Sequence, residues 1–192
     1  MGVKKRIMVV EDESIVRLDL TMMLEEAGYD VVGQAGDGEK AVEQAFSLKP
    51  DLIIMDIKMP ILNGLKASEI ISKKYNTPIL LLTAYSQREY IDKAKQANIM
   101  GYLVKPVNEA SLIPAVEIAL RQAENANAFR EQVESMNQQL NERKMVEKAK
   151  GILMKKFNMP EDDAFKKMRK ISMNKQVTLE NVAKRIILKY NA

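Results

Sequence analysis

The sequence predicts an α/β fold followed by an all-helical C-terminal part, and three observations support this. Short apolar runs recur through residues 1–107, and amphipathic stretches separate them. Such runs are typical of strands buried on both faces of a parallel sheet, and strands alternating with helices form βαβ units. Beyond residue 108, apolar residues recur every three or four positions, which is the helical period. With 192 residues, of which 46% are apolar, the chain can build one or two packed domains.

The first elements alternate between strand and helix. A strand is predicted at Arg6–Val10, and Ser14 begins a helix that ends before Gly28. A second strand follows at Asp30–Ala35, and after the Asp37-Gly38 turn a second helix covers Glu39–Leu48. The apolar residues of the first helix that we expect to mark its buried face are Ile15, Leu18, Met22, Met23 and Ala27.

The same alternation continues to residue 104. Strands are predicted at Leu52–Asp56, Pro78–Thr83 and Gly101–Val104, and helices at Leu65–Ser72 and Gln87–Gln96. Right-handed crossovers arrange five such strands in the flavodoxin-like order 2-1-3-4-5. The first and third strands are then neighbours, and the polar residues at their carboxyl ends meet in one crevice.

Polar residues stand at the ends of four predicted strands. Glu11 and Asp12 follow the first strand, and Asp56 ends the third. Three carboxylates this close need a cation, and all-oxygen ligation suits Mg²⁺. Thr83 ends the fourth strand and is placed to hydrogen-bond a phosphoryl oxygen, while Lys105 follows the fifth and supplies a positive charge. Each residue alone has an ordinary explanation, but all of them are predicted at the same edge of one sheet. Their combination favours a phosphoryl-transfer site.

Together these residues resemble the signature of a two-component receiver domain over about residues 4–121. The matching motifs are Glu11-Asp12, Asp56 with Met59-Pro60 and Gly64, Thr83-Ala84, and Lys105-Pro106. The resemblance implies that a sensor histidine kinase phosphorylates Asp56 and that a cis bond precedes Pro106. It implies Mg²⁺ ligation by Glu11, Asp12, Asp56 and the backbone carbonyl of Lys58. Glu11 stands where the family more commonly has Asp, and its longer side chain still reaches the metal. The implied phosphoryl-binding and switch residues are Thr83, Ala84, Tyr102 and Lys105, although Tyr102 also fits a half-buried strand tyrosine. We take residues 1–121 as this domain.

A long helix is predicted from Glu109, because no glycine follows before Gly151 and Pro114 is the last proline before that point. Its apolar residues follow a heptad spacing with one three-residue slip. They are Leu112, Val116, Ala119, Ala123, Ala126, Phe129, Val133, Met136 and Leu140. We interpret residues 109–145 as a weak coiled coil that pairs two copies of the chain. The alternative is a single helix packed on its own chain.

The C-terminal segment is strongly basic. Residues 141–192 hold 14 Lys and Arg against 6 Asp and Glu, a net charge of +8, whereas residues 1–107 carry −1. This asymmetry favours a polyanion-binding surface, although a solvated basic face would share it. The helix breaks at Asn158-Met159-Pro160, with Pro160 expected as the first residue of the next helix, and Thr178 caps a last one. Residues 136–192 then form a three-helix bundle, in which we expect Phe157 and Phe165 in the core.

This bundle resembles the ANTAR domain over about residues 136–190. The resemblance rests on Glu147-x-Ala149-Lys150-Gly151-Ile152-Leu153-Met154, then Ala164-Phe165, Met168-Arg169, Ser172-Met173 and Val182-Ala183. It implies an RNA-binding antiterminator that recognises paired hairpins with hexanucleotide loops in a nascent leader transcript. It also implies close packing at Ala149, Ala164 and Ala183, and we extend this to Gly151. The basic residues expected to contact RNA are Arg143, Lys144, Lys148, Lys150 and Lys155.

The sequence therefore predicts a cytoplasmic response regulator that dimerises on phosphorylation and binds structured leader RNA. The chain has no histidine and no cysteine, which excludes histidine-based catalysis and thiol chemistry, and we expect neither an enzyme nor a membrane partner. Contact with RNA polymerase is left open. Two other classes of protein are alternatives that would use the same basic bundle. One is a DNA-binding response regulator, and the other is a regulator that binds an acidic protein partner.

Overall fold

The computed structural model describes residues 4–84 and 98–190, so the predicted helix Gln87–Gln96 lies outside the described residues. The chain divides into two compact units, Met1–Ala126 and Asn127–Ala192. One long helix contributes its first part to the first unit and the rest to the second.

The first unit contains a five-stranded parallel sheet. Its strands are β1 (Arg6–Val10), β2 (Asp30–Ala35), β3 (Leu52–Asp56), β4 (Ile79–Thr83) and β5 (Ile99–Val104). Their order is β2-β1-β3-β4-β5, which confirms the predicted flavodoxin-like topology. The helices of this unit are α1 (Ser14–Glu26), α2 (Gly38–Leu48), α3 (Gly64–Lys74) and the start of α4 (Glu109–Phe157).

Alternate residues of each central strand build two separate cores. In β1, Ile7 and Val9 pack with α1 and α4 on one face of the sheet, whereas Met8 and Val10 pack with α2 and α3 on the other. This is the consequence of the two-residue period of a strand covered on both faces. The carboxyl ends of β1 and β3 are thereby fixed side by side.

Of the five apolar residues predicted for the buried face of α1, only Met23 packs against the sheet core. Ile15, Leu18 and Met22 are 85%, 58% and 51% exposed, and the helix instead buries Leu20 and Leu24 against the sheet. The helix is apolar around most of its circumference, so the periodicity alone did not decide which stripe faces the core.

The first half of the predicted coiled-coil seam also has a different role. Leu112, Val116, Ala119 and Ala123 are buried, and the first three belong to the core between α4 and the sheet. These residues therefore pack on their own chain, and pairing of two copies through them is ruled out. The four later seam residues remain exposed, namely Phe129, Val133, Met136 and Leu140.

The second unit is a three-helix arrangement formed by the C-terminal part of α4, α5 (Glu161–Lys175) and α6 (Leu179–Tyr190). Ala149, Ala164 and Ala183, where the family resemblance implied close packing, are all fully buried. The expectation for Gly151 is wrong, because a β-carbon added there would meet nothing within 4 Å.

The helix ends of this unit lie close to the predicted positions, with one difference. The Thr178 hydroxyl accepts a hydrogen bond from the backbone N–H of Asn181, as expected of a helix cap. Pro160 precedes the first residue of α5 instead of forming it. Phe157 and Phe165 are 44% and 40% exposed, so neither is the core residue that we expected.

Within the described ranges, no helix is both long enough and apolar enough to cross a bilayer.

Candidate functional site

The sheet brings three carboxylates together at its carboxyl edge. Glu11 directly follows β1 and is fully buried, and Asp56 ends β3 and is 5% exposed. Asp12 is exposed beside them, and one oxygen from each of the three lies within 4.8 Å of the others. The crevice predicted from strand order is therefore present.

Lys105 connects two of these carboxylates. Its Nζ lies 2.6 Å from Glu11 Oε2 and 2.8 Å from Asp56 Oδ2. Burial alone would lower the pKa of Lys105, but the hydrogen bonds to Asp56 and Glu11 outweigh burial and raise it. The peptide bond between Lys105 and Pro106 is cis, as the family resemblance implied. The backbone N–H of Lys105 donates to the Thr83 carbonyl at 2.8 Å, which ties the ends of β4 and β5 together.

The charge balance of this cluster suits a divalent cation. Burial raises the pKa of Glu11 above its ordinary value, and the neighbouring Asp56 charge adds to this effect, while Lys105 opposes it. The Lys105 ammonium group contacts two of the three carboxylates, so negative charge remains in excess among closely spaced oxygen donors. Hard oxygen donors at this spacing fit the ligand preference of Mg²⁺.

The remaining predicted residues surround this cluster. Thr83 is 8% exposed at the end of β4, and Ala84 next to it is exposed. Tyr102 lies on β5 with half its surface exposed. The backbone N–H of Lys58 is 3.4 Å from Asp56 Oδ1, so the loop after β3 runs beside the carboxylate.

Two supporting residues had not been singled out for these roles. A β-carbon at Gly64 would lie 2.0 Å from the Asp56 carbonyl oxygen, so only glycine allows α3 to start this close to the site. The side chain of Arg17 donates to the Glu11 carbonyl oxygen and fixes the turn after β1. Gly64 was part of the motif that resembles the receiver family, but the contact from Arg17 was not visible in the sequence.

The second unit carries the predicted basic residues in three different environments. Lys144, Lys148 and Lys155 are exposed, and their spacing of four and seven residues places them along one side of α4. Arg143 is also exposed, but it lines a cavity that includes Glu142, Glu147 and Glu180.

Lys150 does not fit the predicted role of an RNA contact. Its side chain is 11% exposed, and its Nζ lies 2.7 Å from Glu147 and 2.6 Å from Glu161. Hydrogen bonds to these two carboxylates raise the pKa of Lys150. Because the ammonium group is already engaged by two anions, this residue links α4 to the start of α5 and is not available to a phosphate.

A buried aspartate–lysine–glutamate cluster at the carboxyl edge of a 2-1-3-4-5 sheet defines the receiver class of signalling domain. Residues 7–117 match the response regulator receiver domain, and residues 134–187 match the ANTAR domain. The chain belongs to the response regulator family and carries an ANTAR domain after its receiver domain.

The chain is similar along its length to a mycobacterial regulator. It is 44% identical to the transcriptional regulatory protein PdtaR of Mycobacterium tuberculosis over 186 residues, which is 97% of this chain and 91% of that protein. It is 35% identical to the chemotaxis protein CheY of Thermotoga maritima over 58% of this chain and 94% of that one. The signal receiver domain of a modulated diguanylate cyclase from Desulfovibrio desulfuricans G20 is 32% identical, covers 65% of this chain and 99% of its own, and superimposes with a TM-score of 0.60.

These findings establish a phosphorylatable response regulator with an ANTAR domain. A receiver domain implies a phosphodonor such as a histidine kinase, and an ANTAR domain implies RNA binding.

Proposed function

We propose that phosphorylation of Asp56 promotes dimerisation of this protein and its binding to paired hairpins in a nascent leader RNA, which causes transcription antitermination. One observation carries the proposal: a single chain combines the buried Asp56–Lys105–Glu11 cluster with an exposed basic side of α4. The first can accept a phosphoryl group, and the second can bind the phosphates of RNA.

The chemistry at Asp56 is a phosphoryl transfer from a phosphohistidine of the kinase. A carboxylate oxygen of Asp56 attacks phosphorus, the phosphorus–nitrogen bond breaks, and the imidazole leaves. Lys105 pairs with the added negative charge, and the Thr83 hydroxyl donates to a phosphoryl oxygen. Glu11, Asp12, Asp56 and the Lys58 carbonyl would hold Mg²⁺, and its positive charge would offset the negative charge of the carboxylates and of the phosphoryl group.

Dimerisation is assigned to the exposed part of the α4 seam. Phe129, Val133, Met136 and Leu140 are 67%, 41%, 63% and 50% exposed and follow a spacing of four, three and four residues. Large apolar side chains at heptad spacing on a solvent-exposed helix are what a two-stranded coiled coil covers. A seam of only four residues gives a weak dimer, which a phosphorylation event worth a few kcal/mol can control.

RNA binding is assigned to the basic side of the second unit. Lys144, Lys148 and Lys155 supply positive charge for the phosphates, and the exposed Arg143 directly precedes Lys144 on the same helix. A dimer presents two such surfaces to two hairpins, and the second contact gains from effective concentration. RNA held in this form disfavours a terminator hairpin, so transcription continues.

The mechanism is tested by removing the phosphoacceptor and a matched surface carboxylate. RNA binding should increase on addition of a small-molecule phosphodonor in the wild type and in Asp19→Ala, because Asp19 is an exposed residue of α1. It should not increase in Asp56→Ala. Stimulated binding that survives in Asp56→Ala would refute the proposed mechanism, and competition by duplex DNA at matched salt would favour a DNA-binding regulator.

A further inference from the structure

A small cavity in the second unit has no role in the function proposed above. It lies between the end of α4, the C-terminal half of α5, and α6, and its volume is about 290 Å³. Pockets that hold small molecules typically span about 300–1,000 Å³, so this cavity suits one planar ring system and excludes a whole helix.

The floor and one wall of the cavity are apolar and aromatic. Leu153, Val182 and Ile186 form the buried floor. Phe157 and Tyr190 form an edge-to-face pair at the wall, with their ring centroids 5.7 Å apart and an angle of 85° between the planes. Phe157 keeps 44% of its surface exposed, so an aromatic ring is offered to solvent where a core residue was expected.

All charged residues that line the cavity are cationic, and they form its rim. Lys167, Lys175, Arg185 and Lys189 line it, and no acidic residue does. Within residues 4–84 and 98–190, none of these four forms an ion pair. Lys167 Nζ lies 4.7 Å from the centre of the Phe157 ring, which holds this charge at the mouth of the cavity.

A second cavity of the same unit provides an internal contrast. It also has an exposed aromatic side chain, Phe165, but it is lined by Glu142, Glu147 and Glu180 with a single arginine. The combination of an aromatic wall and unpaired cations therefore distinguishes one cavity and is not a general property of this bundle.

We propose that the cationic cavity binds one unpaired base of an RNA hairpin loop, with the flanking phosphates on its four-residue cationic rim. Bases splayed from loops are recognised by stacking on aromatic side chains, and backbone phosphates seek lysine and arginine. The proposal rests on the RNA binding proposed above and adds a base-reading site to it. The lysines along α4 then position the RNA, and the cavity distinguishes an available loop base from a paired one.

The test compares two phenylalanines of similar exposure. Phe157→Leu keeps apolar volume but removes the ring from the cationic cavity, and Phe165→Leu makes the same change in the acidic one. Affinity is measured with full-length protein, a phosphate mimic, and a two-hairpin RNA with hexanucleotide loops. Phe157→Leu should weaken binding by about 5- to 160-fold, the range typical of one base–aromatic stack. Phe165→Leu should bind within twofold of the wild type.

Abasic substitutions locate the base and report on the same contact. Replacing one loop position at a time with an abasic nucleotide should weaken wild-type binding about 5- to 160-fold at one position of a loop. At that position the same substitution should cost Phe157→Leu less than twofold, because the partner ring is already absent. Lys189→Gln, a change at the exposed rim, should weaken binding to the intact RNA without affecting thermal unfolding.

The outcomes separate failure of the inference from failure of the proposed function. A wild-type protein that binds no hairpin RNA would overturn both. Strong wild-type binding with Phe157→Leu within twofold would overturn only the base-binding cavity. Saturation of the cavity by adenosine or guanosine monophosphate with unchanged RNA affinity would assign it to a free nucleotide and would also overturn the inference.

Discussion

Replacing Lys105 with methionine should destabilise the receiver domain strongly in the absence of Mg²⁺. The substitution leaves Glu11 and Asp56, which are fully buried and 5% exposed, without the ammonium group that lies 2.6 and 2.8 Å from them. Breaking a buried ion pair from one side typically costs about 3–5 kcal/mol. Because the Lys105 side chain keeps 19% exposure and water can enter where it leaves, we expect the lower end, about 3 kcal/mol.

The assay is urea unfolding in EDTA, and pH provides an internal check. Burial and the Asp56 charge already raise the pKa of Glu11, and loss of Lys105 raises it further. A carboxyl group whose folded pKa is raised costs stability as pH rises above its unfolded value of about 4.3. The deficit of Lys105→Met should therefore shrink between pH 8 and pH 5.

A neutralised variant serves as the control. Adding Glu11→Gln and Asp56→Asn to Lys105→Met removes all three charges and should recover most of the lost stability, because buried ion networks are often replaced by neutral groups at little cost. A Lys105→Met protein within about 1 kcal/mol of the wild type at pH 8 would refute the electrostatic description of this cluster.

Three further changes test other parts of the structure. Mg²⁺ at ten times its dissociation constant should stabilise the receiver domain by about 1.4 kcal/mol in thermal unfolding, and Glu11→Gln should remove the shift; an equal shift in both proteins would contradict the assigned ligand. Leu140→Asp should weaken dimerisation under activating conditions in sedimentation experiments, whereas Asn141→Asp adds the same charge beside the seam and should not; equal behaviour would argue against the seam. Gly151→Ala should stabilise the second unit by about 0.5–1 kcal/mol in chemical unfolding, because the added methyl group meets nothing and alanine favours the helix; destabilisation would show that this position is packed.

The sheet and its site were predictable because strand order follows from local rules. Continuous apolar runs, short connections and right-handed crossovers fix the topology, and the topology alone brings Glu11 and Asp56 together. The contact of Lys105 with both carboxylates was not among the predictions, because β4 separates β5 from β3 in the sheet. The support from Arg17 could not be foreseen, since it depends on a turn in the chain after β1.

The mistakes share a physical cause, because several partners accept the same helical spacing. Leu112 and Val116 fit a heptad spacing of apolar residues. Apolar residues spaced three and four apart form one helix face, and a sheet can bury that face as readily as a second helix can. On α1, Ile15 and Leu20 are both apolar, and only tertiary packing decides that Leu20 is buried. Lys150 was grouped with the exposed lysines because its partner Glu161 lies on the next helix. A count of charges along the sequence does not show which charges meet between helices.

The most direct test of the proposed function is the affinity for a two-hairpin leader RNA with and without beryllofluoride and Mg²⁺, in the presence of equal duplex DNA. We predict tight, DNA-resistant binding that appears with the phosphate mimic in the wild type and is absent in Asp56→Ala. Binding of equal strength with and without the mimic, or a mimic response retained in Asp56→Ala, would contradict the proposed link from Asp56 to RNA.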